Sequence, residues 1–258
     1  MNRDILRQFF VIVTFALTIV TNGMATSLPL NGMDTGAISD MFPNFFTPAG
    51  YVFAIWGVIY LGLAAFTVYH SLPGQRANPR LRRIGWLFIF SNLCNSAWIF
   101  AWHYLLFPLS FVLMLGILGT LLAIFVRLGS RPVSAVERWS VHVPFSIYVG
   151  WISVATIANT TVLLQYWGFA GGPLPEPVWS ALLMLIGTGI AAYIIHTRRD
   201  VAYGAVFVWA FIGIAVKYSA TPVVAYTAGL LAGLILVLVI RTLLRSGPPT
   251  PHLQSNLT

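Results

Sequence analysis

The stretch RLRRIGWLFIFSNLCNSAWIFAWH, residues 80–103, decides the fold. Arg80, Arg82 and Arg83 give way to a run from Ile84 to His103 that contains no Asp, Glu, Lys or Arg. A membrane-spanning helix needs about 20 such residues, and a cationic flank at one end orients it. The whole chain has the matching composition. Its 258 residues are 58% hydrophobic and 8% charged, with mean hydropathy +0.84. A soluble domain carries about 25% charged residues, so a soluble fold is excluded, and so is disorder. A single cysteine, Cys94, excludes a disulfide scaffold.

Working outward from residues 80–103, further apolar runs fall at 8–24, 49–69, 106–127, 141–164, 179–196, 202–217 and 223–240. With the third run at 84–102, the sequence predicts an all-α, polytopic helical membrane protein of eight spans. The net charge of +8 tests that count. Thirteen of the fourteen cations are arginines, and they occupy the N-terminus, the 70–83, 128–140 and 197–201 connections and the C-terminal tail. These are alternate loops, so eight spans place every arginine on one side. The other side receives Lys217 with Asp34, Asp40 and Glu176. The positive-inside rule then predicts cytoplasmic termini, with a bacterial inner membrane as the expected location. No arginine strip interleaves with aromatics, so the charge is a topology signal and no nucleic-acid partner is expected. Arg3, Arg7 and the apolar stretch Phe9–Val20 could also be read as a signal peptide; the poor small-x-small site after it favours a retained helix.

Two segments stand apart. The 26–48 loop has no cation, contains Pro29, Pro43 and Pro48, and carries Met41, Phe42, Phe45 and Phe46. An apolar loop of this length is expected to fold back over something. The Pro-rich polar tail, 246–258, is expected to be disordered.

In hydrocarbon, function is sought among polar and aromatic side chains at mid-depth. Asn92, Asn95, Trp98 and Trp102 share one helical face, and Asn95 lies about 16 Å along its span from Ile84. Interhelical glue is the simpler role for such an amide, and ligand contact the sharper one. Trp86, Trp139, Trp167 and Trp179 sit at span ends and fit an interfacial belt. Trp56, Trp151 and Trp209 lie about 12–15 Å inside, where the belt does not account for them. Trp56, Trp98 and Trp151 on three different spans, with Asn95 and Asn159 nearby in the pattern, point to an aromatic-lined cavity. Ser153, Thr156 and Asn159 form a polar stripe on the fifth span, and Gly187, Gly189, Gly229 and Gly233 are expected at close helix contacts.

Other chemistries find little support. A retinal Schiff base on Lys217 needs an intramembrane counter-ion, and all six acids lie in loops or termini. A snorkelling Lys217 paired with Asp34 or Asp40 is the better expectation, and an anionic ligand group is an alternative partner. No HExxH, GxSxG or P-loop occurs, so no catalytic residues and no required cofactor are expected, and the chain does not read as an enzyme. His103 and His142 stand alone and read as amphipathic interface residues rather than haem ligands.

Four segments in register resemble the TspO/MBR family, the translocator or tryptophan-rich sensory proteins. They are Pro43-Asn44-Phe45-Phe46-Thr47-Pro48, Ile55 to Tyr60 (IWGVIY), Asn95-Ser96-Ala97-Trp98, and Trp151 to Asn159 (WISVATIAN). The resemblance covers about residues 8–165. It implies a five-helix core with a cavity, lidded by the first loop, for porphyrin, haem or sterol-like ligands. The residues it implies for that site are Phe46, Trp56, Tyr60, Asn95, Trp98, Trp151 and Asn159. Family members normally stop after five helices, so the expected organisation is a core over 1–165, three additional helices over 166–245 and the tail.

The leading expectation is therefore a membrane sensor or receptor for a planar or apolar ligand, with the lipid bilayer and a second copy of the chain as candidate partners. A transporter or channel for a small neutral or apolar solute is the alternative, although no internal repeat joins 1–128 to 129–258. Light-dependent oxidation at a tryptophan is a third reading.

Overall fold

The computed structural model describes residues 3–28, 30–42, 44–129, 134–169 and 171–245. Arg131 and the 246–258 tail lie outside them. All regular structure in the described residues is helical. The long helices are α1 (Arg3–Ser27), α3 (Ile55–Ser71), α4 (Pro79–His103), α5 (Phe107–Leu128), α7 (Val143–Tyr166), α8 (Glu176–Arg198), α9 (Val201–Lys217) and α10 (Pro222–Arg245). Short α2 (Thr35–Asp40) lies in the first loop, and α6 (Ala135–Glu137) leads through a π-helical turn, Arg138–His142, into α7. Seven spans are long and apolar enough to cross a membrane, one of them counted from Gly50 and another from Ala135. The eighth apolar run forms the 17-residue α9, at the short end of the spanning range of about 17–25.

The bundle turns its small and polar residues inward, because lipid is as apolar as any core and packing must supply the helix–helix attraction. On α1, Thr14, Thr18, Thr21 and Ala25 repeat at helical spacing and are buried, whereas Val13, Leu17, Val20 and Met24 are exposed. The buried stripe meets α4, where Thr18 donates to the Asn92 carbonyl at 3.2 Å and Asn22 donates to the Asn95 amide oxygen at 2.8 Å. Helix α4 is the most buried span. Contacts run from α1 to α4, α4 to α5, α5 to α7, α7 to α3 and α3 back to α1, which closes a ring of five. Helix α9 packs on the outside of α7, and α8 and α10 pack on α9.

Glycine sets several of these approaches. A Cβ at Gly62 would sit 3.0 Å from Pro144, which brings α3 against α7. At Gly187 it would meet Phe207 at 3.3 Å, so this glycine does mark a close contact between α8 and α9. Gly189, Gly229 and Gly233 differ from the sequence expectation, since nothing lies within 4 Å of a Cβ there. Small-residue spacing makes a groove, but only a neighbouring helix turns it into a contact.

Charge is segregated as the loop count requires. Asp4 bridges Arg7 and Arg82, Arg80 pairs with Glu137 at 3.0 Å, and Arg127 donates to the Arg83 carbonyl, all at one end. Lys217 pairs with Asp40 at the other.

Among the described glycines the tightest approach lies between α9 and the segment leading into α3. A Cβ on Gly213 would fall 2.1 Å from Val52 Cγ2 and 3.2 Å from Pro48. Gly213→Ala is therefore expected to cost about 1–3 kcal/mol by overpacking and to lower the melting temperature in detergent. Gly229→Ala, facing open space, is expected to leave stability unchanged or add up to about 1 kcal/mol, so that the melting temperature holds or rises. Equal melting temperatures for the two variants would contradict this packing.

Candidate ligand-binding cavity

Three of the deep tryptophans converge. Trp56 from α3, Trp98 from α4 and Trp151 from α7 line one cavity inside the five-helix ring, together with Asn159. Trp56 and Trp151 meet edge-to-face with centroids 6.2 Å apart, and Trp98 stacks on Trp102 at 5.6 Å. The helical spacing of α4 explains the second pair, since Trp98 and Trp102 are four residues apart on one face. The free space inside is about 40 Å3, room for a few waters. It adjoins a cleft of about 830 Å3 between α1, α3 and α4, a size that suits a small molecule. Thr35, Phe53, Trp56 and Trp98 belong to both walls.

Three residues that line this cavity carry buried polar atoms without partners, as do Thr67, Ser91 and Asn92 elsewhere in the bundle. Trp98, Trp151 and Asn159 are 6%, 2% and 3% exposed. The indole N–H groups of Trp98 and Trp151 and the Asn159 amide oxygen have no hydrogen-bond partner among the described residues. Asn159 does use its nitrogen, which donates to the Ser110 hydroxyl at 3.2 Å. Two donors and one acceptor are thus left without partners on residues that line one cavity, and burial without partners costs about 1–3 kcal/mol for each. A ligand carrying an acceptor or two and a donor would satisfy them.

The remaining residues named from the sequence lie elsewhere. Tyr60 stacks on Trp56 at 5.4 Å and lines the outer cleft rather than the inner cavity. Asn95 is fully buried and lines neither. Its oxygen accepts from Asn22, and its nitrogen donates to the Tyr148 hydroxyl at 3.1 Å, so it ties α1, α4 and α7 together. Phe46 is also fully buried, packs edge-on to Phe211 at 6.5 Å and borders a separate small pocket near Trp179.

A family model described as TSPO-like protein matches residues 8–241. This chain belongs to the TSPO-like family. The matched stretch runs past the first five spans and through α8, α9 and most of α10. No curated protein and no solved structure matches the chain.

The TSPO-like chain roofs its cavity with the first loop. Thr35, Ser39, Thr47 and Pro48 supply that surface. Asp34 caps α2 by accepting the Ala37 N–H at 2.7 Å, and the Asn44 side chain accepts from the N–H groups of Phe46 and Thr47, which fixes the turn. One edge of the roof is fastened to α4. Trp102 donates to the Thr35 carbonyl, and both ring nitrogens of His103 are engaged, with Thr35 Oγ1 and with the Leu30 carbonyl, at 3.1 Å each. From sequence His103 reads as an isolated interfacial residue; its partners come from a loop some 70 positions away.

The opposite edge is fastened to α9. Tyr218 donates to the Asn44 carbonyl at 2.6 Å, Ala49 N–H donates to the Gly213 carbonyl at 3.2 Å, and Trp209 donates to the Val52 carbonyl at 3.0 Å. Lys217 closes the row through Asp40. Trp209, expected at depth from its position, is exposed on the bundle's surface; it holds the segment behind the roof and does not line the cavity.

Tyr218→Phe removes the half-buried member of this clasp and is expected to cost about 1 kcal/mol. Limited proteolysis within 28–48 should then accelerate roughly fivefold, because opening precedes cleavage. Asp40→Asn removes an exposed ion pair worth about 0–1 kcal/mol and should have a smaller effect that high salt abolishes in the parent. An unchanged cleavage rate in Tyr218→Phe would show that α9 does not restrain the roof.

Proposed function

We propose that this protein is a membrane receptor or sensor that takes a planar, largely apolar ligand of the porphyrin, haem or sterol-like class between the tryptophans. The observation that carries this reading is the set of three buried, unpartnered polar atoms on Trp98, Trp151 and Asn159 around one cavity. A flat conjugated molecule stacks on indole faces and presents its polar edge to N–H and amide groups, which is the complement of this wall. Trp56, Trp98, Trp151 and Asn159 are the ligand-contacting residues in this proposal. Tyr60 lines the approach through the outer cleft, whereas Asn95 and Phe46 hold the walls from behind.

Because the inner space is small, entry of such a ligand requires Trp56 or the roof to move, and the clasp on α9 sets how readily that happens. The three helices after the ring act in this reading as the fixture for the roof. The arginine-rich end faces the cytoplasm of a bacterial inner membrane.

Titration of the purified chain with protoporphyrin, followed by tryptophan fluorescence, tests the site. Saturable quenching is expected, weakened about tenfold in Trp151→Phe, which removes one N–H donor and part of the stacking face. Trp167→Phe, at an exposed span end, should leave the affinity unchanged. Quenching that is non-saturable, or equal in the two variants, would overturn the assignment. Solute uptake into proteoliposomes without such binding would favour the transporter reading instead.

A further inference from the structure

The arginine-bearing end of the bundle holds a second hollow, far along the chain and the fold from the tryptophans. Its volume is about 280 Å3, and it lies where α5 and α8 end and α7 and α9 begin. Arg138, Arg198 and Arg199 line it against one carboxylate, Asp200. That carboxylate is already committed: one oxygen accepts the Tyr203 N–H at 3.0 Å and caps α9, and the other accepts from the Ser146 hydroxyl. None of the three guanidinium groups has a hydrogen bond or ion pair among the described residues. Arg198 is held only by its place over the Phe125 ring, 5.3 Å from the centroid. An excess of two positive charges therefore surrounds a space with an apolar floor of Phe125, Leu128 and Leu243.

Two backbone departures bring the arginines to it. Arg138 opens the π-helical turn that ends at His142, and the buried Nε2 of His142 has no partner. Arg199 follows α8 in the left-handed region, at φ 54 and ψ 35, where glycine would be the relaxed choice. Departures of both kinds gather at ligand sites, where a side chain must be aimed against the local backbone preference.

We propose that this hollow binds the phosphate group of an amphiphilic anion. The guanidinium forks hold the phosphate, and the apolar part of the ligand lies along Phe125 and Leu243. Two sources share that chemistry, an anionic phospholipid of the surrounding leaflet and a soluble phosphate ester. The exposed Trp139, next to Arg138, puts the rim at the level where membrane headgroups lie.

Melting temperature in a neutral detergent, titrated separately with phosphatidylglycerol, phosphatidylcholine, glycerol 3-phosphate and inorganic phosphate, tests this. A saturable rise beyond that given by phosphatidylcholine is expected, and the titrant that produces it names the source. Arg199→Gly should raise the melting temperature of the ligand-free chain by relieving the left-handed residue, while weakening the same ligand about tenfold. Arg138→Gln should weaken it similarly. Arg241→Gln, on α10 outside the hollow, should not. Absence of any saturable rise beyond phosphatidylcholine overturns the proposal. Equal weakening by Arg199→Gly and Arg241→Gln does so too, because it shows that diffuse charge is responsible.

Discussion

Hydrocarbon offers no hydrogen bonds, so every polar group carried into the bilayer must find its partner within the protein. Many of the hydroxyls inside this bundle meet that requirement by bonding back to their own helix, as Ser153, Thr156 and Thr188 do, and other polar side chains meet it by tying helices together. Asn95 joins Asn22 to Tyr148, Tyr203 reaches Ser153, and Trp209 reaches the Val52 carbonyl. The same constraint makes exceptions informative. Three of them, on Trp98, Trp151 and Asn159, belong to residues that line a single cavity, and the proposed ligand is the partner they would take.

The five-helix ring and the three helices beyond it are joined through the cavity's roof as well as along α7. On one side the roof is bonded to Trp102 and His103, which belong to the ring. On the other it is bonded to Trp209, Gly213, Lys217 and Tyr218, which follow one another down and just past α9. A change in the packing of α9 is thereby a change at the entrance to the cavity. In the proposed function this coupling needs no long pathway, because the α9 residues are in direct contact with the loop.

Much of this was legible in the sequence, for physical reasons that can be named. Arginines in alternate connections fixed the span count, since a single missed helix would have mixed the two sides. Depth along a helix separated Trp56 and Trp151 from the interfacial Trp86, Trp139 and Trp167, which are exposed. The scarcity of acids on that side narrows the partner of Lys217 to Asp34 or Asp40, and the structure pairs it with Asp40. What stayed hidden was non-local. Nothing in Asn95 itself says whether its amide meets a ligand or Asn22, and Phe46 differs from Phe53, which packs on Trp151, only in the course of the loop. Gly229 and Gly233 have the spacing of a helix contact, yet no described atom lies within 4 Å of a Cβ at either, and they line a groove shared with α9. The family match agrees with the motif reading over the first five spans and continues to residue 241, through helices for which the motifs gave no signal.

The central claim is that the indole N–H groups of Trp98 and Trp151 await a ligand acceptor. Nitrogen-15 NMR of tryptophan-labelled protein, recorded with and without protoporphyrin, measures this most directly. The account predicts downfield movement of the Trp98 and Trp151 indole signals on saturation, with the Trp209 signal, already bonded to the Val52 carbonyl, unchanged. Stationary Trp98 and Trp151 signals in a preparation that binds the porphyrin would contradict it.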